Sequence, residues 1–149
     1  MAADEKPNPA ECNCLAVRQA ARHVTQLYDR HMAPYGLRTT QFSILSKLRR
    51  LGPMTINALA DDMVMDRTTL GRNILPLQRE GLITVARGRE DRRARELHLT
   101  DTGLQRLRAG LKGWQAAQAE FETSFGSSRA ADLRGLLREV VAIEPAPAS

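Results

Sequence analysis

Residues 66–99, DRTTLGRNILPLQREGLITVARGREDRRARELHL, change their hydrophobic period partway along, and this change decides the fold. The first half has apolar residues at helical spacing, namely Leu70, Ile74 and Leu77. Gly81 ends that pattern, and apolar residues then alternate with polar ones on either side of an arginine-rich stretch. The segment predicts a helix that begins near Asp66, followed by a two-stranded hairpin with a long charged tip.

A shorter helix is predicted just before this segment. Thr55 is a capping residue, and one apolar face follows it, made of Ile56, Leu59, Ala60 and Met63. A brief break at Val64 and Met65 separates this helix from the one that begins at Asp66. Two helices joined by so short a turn are typical of a helix-turn-helix.

Four further helices are predicted around this pair. The first runs from about Leu15 to a stop at Pro34, and the second is capped by Thr39 or Thr40. After the hairpin, Thr100 can cap a long fifth helix whose apolar stripe resembles a coiled-coil seam. Gly126 breaks that helix, and Ser127 or Ser128 is expected to cap a sixth.

The chain length and charge limit the possible functions. The 149 residues suit one domain, and the formal net charge of +5 favours polyanionic partners. No stretch approaches the ~18 consecutive apolar residues that span a bilayer, and residues 1–11 do not resemble a secretory leader. We therefore expect a cytoplasmic protein with no membrane partner.

The positive charge is concentrated at two points of the predicted fold. The start of the helix at Asp66 carries donor and acceptor groups that fit base edges and phosphates, namely Arg67, Thr68, Thr69, Arg72 and Asn73. The hairpin tip, residues 87–95, has five arginines against only Glu90 and Asp91. A narrow minor groove attracts arginines of this kind. The order of elements predicts a winged helix-turn-helix that binds double-stranded DNA.

Several segments, taken in order, resemble the MarR family of winged helix-turn-helix regulators. They are Gly36 to Phe42, Leu59-Ala60, Gly81-Leu82-Ile83, Asp91-Arg92-Arg93 and Leu99-Thr100-Asp101-Thr102-Gly103. The resemblance implies that Arg93 enters the minor groove, that Asp91 orients it, and that Arg67 to Arg72 lie in the major groove. Two positions depart from the family: Gly71 replaces a polar residue, and Pro76 should kink the recognition helix.

The resulting fold class is mainly α with a small β-hairpin wing, in which helical arms flank a winged helix-turn-helix domain. The predicted organisation is a disordered tail at 1–11, one domain at 12–143 and a disordered tail at 144–149. Within the domain, 12–33 and 101–143 are dimerisation helices and 37–100 form the DNA-binding lobe. The first, fifth and sixth helices carry more apolar surface than a monomer of this size can bury, which favours a homodimer on a pseudo-palindromic operator.

The expected function is that of a repressor released by a small ligand or by thiol oxidation. Cys12 and Cys14 lie at the start of the first helix, and Cys14 is near the position of the reactive cysteine in the organic-hydroperoxide-sensing branch of the family. The alternative for this region is an inert thiol, with Tyr28 in the core. A small aromatic or carboxylate ligand could bind near Arg18, His23, Arg38 or Trp114, where the arms meet the lobe.

The residues give less support to functions other than DNA binding. No phosphate loop, carboxylate pair or nucleophile–base grouping is present, so we expect no enzyme and no cofactor; a thiol peroxidase using Cys14 is the enzymatic alternative. A metal site would need ligands from His23, His31 and His98, and His98 lies in a distant strand, so none is expected. A winged-helix module that binds an acidic protein is a further alternative.

Overall fold

The computed structural model describes residues 6–148. A single 3₁₀ turn at Pro9–Glu11 leads into the helices α1 (Asn13–Met32), α2 (Thr39–Leu51), α3 (Ile56–Asp62), α4 (Arg67–Arg79), α5 (Asp101–Phe125) and α6 (Ser127–Val141). The strands are β1 (Met54–Thr55), β2 (Ile83–Arg87) and β3 (Arg95–Leu99), and a second 3₁₀ turn at Ala33–Tyr35 follows α1. The mainly helical winged fold is as predicted.

The sheet has one strand more than the sequence predicted. β3 lies in the centre, antiparallel to β2 on one side and to β1 on the other. In β1, Met54 and Thr55 are opposite Leu97 and Glu96. Two residues are too few to show alternation, so this strand could not be read from the sequence.

The core of the lobe lies where the helix-turn-helix packs against the sheet and α2. Its largest fully buried side chains are Met32, Ile44, Leu45, Leu59, Leu70, Leu77, Leu82, Ile83 and Leu97. Most of them come from the apolar faces of α2, α3 and α4 and from the strands β2 and β3. The hydrophobic periods therefore predicted most of this core, and they leave the opposite, polar face of α4 in contact with solvent.

Two predicted helix caps are wrong. α2 begins at Thr39 with Arg38 as its cap residue, and Gln41 accepts a hydrogen bond from the backbone N–H of Arg38 at 3.0 Å. The N–H of Thr39 donates instead to the Asp29 carboxylate at 2.7 Å. α6 begins directly after Gly126, without a side-chain cap from Ser127 or Ser128. At α2 neighbouring side chains accept the N–H groups at the helix start, whereas at α6 the Gly126 carbonyl accepts only the backbone N–H of Ala130, the first bond of the helix.

The other caps are as predicted. Thr55 caps α3, Asp66 caps α4 and Thr100 caps α5, each by accepting the backbone N–H three residues later. Gly81 has a φ of +72° just beyond α4, the left-handed conformation expected of a residue that ends a helix. α4 continues as one helix through Pro76.

α5 lies between the wing and α6 in the sequence, and it packs closely against both the lobe and α1. Near its start, a Cβ on Gly103 would lie 2.0 Å from the Leu82 carbonyl oxygen, and one on Gly113 would lie 2.4 Å from that of His31. Only glycine permits these approaches. The same helix therefore contacts the lobe at Leu82 and the first arm helix at His31.

Part of the predicted tails falls within the described chain. Residues 1–5 and 149 lie outside it. Pro9–Glu11 form one 3₁₀ turn, and Asn8 accepts a hydrogen bond from the N–H of Ala10 at 3.1 Å. Residues 143–148 have no regular secondary structure. The domain limits themselves stay predictions.

Candidate nucleic-acid interface

The turn of the helix-turn-helix has an unusual backbone conformation at Val64. This residue has a φ of +53°, and its side chain is 69% exposed. A β-branched residue in the left-handed region is rare because its Cβ crowds the backbone. The N–H of Met65 donates to the Ala60 carbonyl at 2.9 Å and closes the turn. This geometry fixes the angle between α3 and α4.

The first turn of α4 is organised by Asp66. Its Oδ1 accepts the backbone N–H of Thr69 at 2.8 Å, and its Oδ2 accepts the hydroxyl hydrogen of Thr69 at 2.7 Å. The backbone hydrogen bond from Thr69 has the largest effect, followed by that from its hydroxyl, and both lower the pKa of the Asp66 carboxyl below its ordinary value. The hydroxyl proton of Thr69 is thus used inside the cap, and its oxygen can act towards DNA only as an acceptor.

The remaining predicted residues of α4 divide into two groups. Arg67, Thr68 and Arg72 are exposed on its first two turns. Asn73 is half-buried, and its Nδ2 donates to the Thr69 carbonyl oxygen of the same helix at 2.9 Å. Among residues 6–148, no ion pair joins Arg67 to Asp66. Arg67, Thr68 and Arg72 therefore form the accessible surface of the helix start.

The wing loop, residues 88–94, is held by three hydrogen bonds. The N–H of Gly88 donates to the Ala94 carbonyl at 2.8 Å, and that of Ala94 donates to the Asp91 carbonyl at 3.1 Å. The Asp91 carboxylate accepts the backbone N–H of Arg93 at 2.9 Å. Asp91 thus orients Arg93 through the main chain, which leaves the guanidinium of Arg93 exposed at the tip.

The arginines of the wing do not all have the same surroundings. Arg89 Nε lies 3.8 Å from Glu96 Oε1, a carboxylate that also has His98 Nε2 at 2.8 Å. Arg93 and Arg95 are exposed and make no ion pair among the residues described. Arg87 and Arg92 are likewise exposed and unpaired among the described residues, so four of the five wing arginines carry free positive charge.

A polar cleft connects the helix-turn-helix to the wing. It has a volume of about 510 Å³, and its polar lining consists of Thr55, Asn57, Arg67, Asp91, Arg93 and Arg95. The structure thus brings Arg67 together with Asp91 and Arg93, while Thr68 and Arg72 do not line this cleft. Asn57 was not singled out in the sequence, where the only signal was its position two residues after the cap Thr55.

The arms present a separate, apolar surface. A cavity of about 640 Å³ lies between α1, α5 and α6, with Val17, Val24, Phe121 and Leu137 in its walls. The Tyr28 hydroxyl forms a hydrogen bond with the Gln118 side chain at one side of this cavity. Burial, and then the nearby Glu122 carboxylate, raises the pKa of Tyr28. The large exposed apolar residues of α6 and its end are Leu136, Leu137, Val140, Val141 and Ile143.

The candidate sensing residues lie in different parts of the molecule. Cys12 and Cys14 are both exposed, and the Cys12 sulfur accepts the N–H of Leu15 at 3.4 Å as the cap of α1. Trp114 stacks on Phe42 with ring centroids 6.4 Å apart and lines a cavity of about 500 Å³ together with Lys47 and Arg50. Arg18, His23 and Arg38 are not among the residues that line this cavity.

Within the described chain, no helix is long and apolar enough to cross a bilayer.

Comparison with known proteins identifies the family to which the helix-turn-helix and the wing are similar. The MarR family model matches residues 37–94, which include the whole helix-turn-helix and the wing loop. The chain is 31% identical over 84 residues to YwoH of Bacillus subtilis, an uncharacterised HTH-type transcriptional regulator. That alignment covers 56% of this chain and 61% of YwoH.

Solved structures match over a longer range. The transcriptional regulator MosR of M. tuberculosis in complex with DNA is 35% identical, with a TM-score of 0.73 over 89% of this chain and 100% of that one. A mutant of E. coli MarR with operator DNA is 20% identical, with a TM-score of 0.78 over 91% of this chain and 99% of the other. The second likeness concerns the fold alone.

Proposed function

The chain belongs to the MarR family of winged helix-turn-helix transcriptional regulators, and from that premise we propose that it binds a pseudo-palindromic operator as a homodimer and represses transcription. The family consists of regulators and not of enzymes. We place the protein in the cytoplasm, where DNA is its partner. The proposed signal that releases it is a small ligand or oxidation of a thiol.

One observation carries the DNA-binding proposal. Arg67, Thr68 and Arg72 are exposed on the first two turns of α4, next to a wing loop whose Arg93 is exposed and fixed in place by Asp91. A helix start of this kind fits the major groove, and an arginine on a hairpin tip fits the adjacent minor groove. We assign base reading to Arg72 and Thr68, with Thr69 as an acceptor and Asn73 released from its helix only on binding.

Selection from a random duplex pool, followed by titration of the selected and a scrambled duplex, tests this function. Specific binding should exceed non-specific binding by ~10³-fold or more at physiological salt. Arg72→Ala should relax base preference, whereas Arg93→Ala should weaken binding and reduce the salt slope by ~0.9 per lost phosphate contact. Arg108→Ala, at an exposed arginine on α5, serves as the control for loss of charge.

Equal, weak binding of every duplex would reject a sequence-specific regulator. That outcome would favour a module whose arginines bind an acidic protein.

The dimer proposal is supported by the apolar arms. Leu136, Val140 and Val141 are each about half exposed or more in the single chain, which is costly for large aliphatic side chains close together on one helix. A second copy seated on α1, α5 and α6 would cover them. Sedimentation equilibrium should give a dimer, and Val140→Glu should give a folded monomer with lower operator affinity.

The signal proposal has two independent branches. Peroxide would convert the exposed thiol of Cys14 to a sulfenic acid with release of water or an alcohol, and Cys12 would then condense with it or remain as the cap of α1. A carboxylate ligand would instead suit the cavity at Trp114, where Arg50 supplies positive charge, whereas Lys47 is paired with Asp62, which also lines the cavity. Operator binding that stays peroxide-sensitive in both Cys12→Ser and Cys14→Ser would exclude the thiol branch.

A further inference from the structure

The residues assigned to base reading, Thr68 and Arg72, do not line the polar cleft between α3, the start of α4 and the wing. Its volume of about 510 Å³ has room for a phosphate group together with its neighbouring sugars. Its lining joins Asn57 of α3, Arg67 of α4, and Arg93 and Arg95 of the wing. Three separate elements therefore converge on one polar opening.

The charge of this cleft is positive and uncompensated. Three guanidinium groups stand against one carboxylate, that of Asp91, which already accepts the N–H of Arg93. In the described chain, Arg67, Arg93 and Arg95 have no acidic partner within 4.0 Å, whereas Arg89 and Arg106 do. The Asn57 amide can donate in addition. Three guanidinium groups and an amide around a single carboxylate that already accepts a backbone N–H are suited to an oxyanion.

The position of the cleft indicates which kind of oxyanion it would bind. In a duplex, the sugar-phosphate backbone of one strand separates the major groove from the adjacent minor groove. If the start of α4 lies in the major groove and the wing tip in the minor groove, that strand must pass between them. The cleft is the space between these two elements, so it faces the strand.

We propose that this cleft binds one phosphodiester group of the DNA backbone, held by Arg67, Arg95 and the amide of Asn57. The inference rests on the proposed DNA-binding function and deepens it. It gives Arg67, one of the residues expected in the major groove, a role in phosphate binding. It also gives roles to Asn57 and Arg95.

Salt titrations of operator binding test the proposal. The double variant Arg67→Gln, Arg95→Gln should lower the slope of log K against log[KCl] by ~0.9, because one phosphate contact is lost, and each single variant should lower it by less and weaken binding about tenfold, with base preference unchanged. Asn57→Ala should weaken binding less and leave the slope as it is. Arg108→Gln removes the same charge from α5 and should change the slope little.

Single methylphosphonate substitutions in the operator locate the contact. One neutral linkage in each half-site should weaken wild-type binding, Arg95→Gln should lose less than wild type at that linkage, and the double variant Arg67→Gln, Arg95→Gln should lose least. Additive losses at every linkage would overturn the proposal, as would a change of base preference in Arg67→Gln equal to that in Arg72→Ala.

Inorganic phosphate separates the DNA backbone from a free anion as the ligand. At constant ionic strength, millimolar phosphate should not compete with the operator. Competition that disappears in Arg95→Gln would assign the cleft to a free oxyanion and overturn the backbone assignment. A wild-type protein that does not discriminate the selected duplex from a scrambled one would reject the proposed regulator, whereas failure at the cleft variants alone would reject only this inference.

Discussion

The hydroxyl of Thr100 donates a hydrogen bond to the carbonyl oxygen of Gly81 at 2.6 Å. The same hydroxyl oxygen accepts the N–H of Gly103 at 2.9 Å, and the backbone N–H of Thr100 donates to the Leu82 carbonyl at 3.2 Å. One residue thus joins the end of the recognition helix to the beginning of α5. These bonds, with the glycine contact at Leu82, give a physical reason for the Leu-Thr-x-x-Gly pattern of residues 99–103.

Replacing Thr100 by valine should destabilise the protein. The change keeps the shape of the side chain but removes the cap and the bond to Gly81, so the free energy of unfolding should fall by about 1–3 kcal/mol. Urea unfolding measures the loss. Thr102→Val, at an exposed position of the same helix, is the matched control. Similar losses in the two variants would contradict this role for Thr100.

Relieving the backbone strain at Val64 should stabilise the protein. Asparagine adopts positive φ more readily than valine does, so Val64→Asn should raise the free energy of unfolding by about 1 kcal/mol. Val64→Ala, which removes the β-branch but keeps an ordinary Cβ, should gain less. Thermal and urea unfolding compare the three proteins, and an alanine variant as stable as the asparagine variant would argue against relief of strain.

Gly88→Ala should disturb the wing more than the fold. A Cβ at this position would lie 2.4 Å from the Asp91 carbonyl oxygen, so the segment that holds Arg93 must move. We expect operator affinity to fall about tenfold, consistent with loss of one charge-assisted contact. Fluorescence anisotropy measures the affinity, and urea unfolding, in which Gly88→Ala should differ little from wild type, is the control. Unaltered affinity in the Gly88 variant would show that the loop position is unimportant.

The cap at Asp66 should make stability depend on pH. Because hydrogen bonds from Thr69 lower the folded-state pKa of Asp66 below 3.8, the charged cap stabilises the fold above that value. This stabilisation is lost as the pH falls through the lower, folded-state pKa. The urea midpoint of wild type should therefore approach that of Asp66→Asn between about pH 4 and pH 2.

Asp66→Ala provides the second comparison for this cap. It loses the hydrogen bond itself, so it should be less stable than Asp66→Asn throughout the titration. A difference between wild type and Asp66→Asn that is constant with pH would mean that the charge of Asp66 does not contribute.

Much of the fold could be predicted because burial imposes a period on the sequence. Leu70, Ile74 and Leu77 are buried at the spacing that predicted α4, and Ile83 and Leu97 are buried as the alternation required. The failures were local. At the start of α2, the side chains of Gln41 and Asp29 accept the backbone N–H groups of Arg38 and Thr39. A pattern of apolar residues does not predict such polar contacts.

The candidate site was less predictable because side-chain hydrogen bonds decide which groups are free. Thr69 and Asn73 have the right chemistry for DNA, yet both bond to their own helix or its cap. Arg95 joins Asn57 and Arg67 in one cleft only when the wing folds beside α3. The spacing of residues along the sequence does not predict such a contact between distant segments.

The length of α5 has a mechanical consequence. Its 25 residues form one rod that contacts Leu82 near one end and is followed by α6 at the other. At a rise of 1.5 Å per residue the rod is about 37 Å long, so a tilt of about 5° at the α6 end moves the opposite end by about 3 Å. Since Thr100 links that end to Gly81, the tilt would carry the recognition helix with it and alter the distance between the two recognition helices of the proposed dimer.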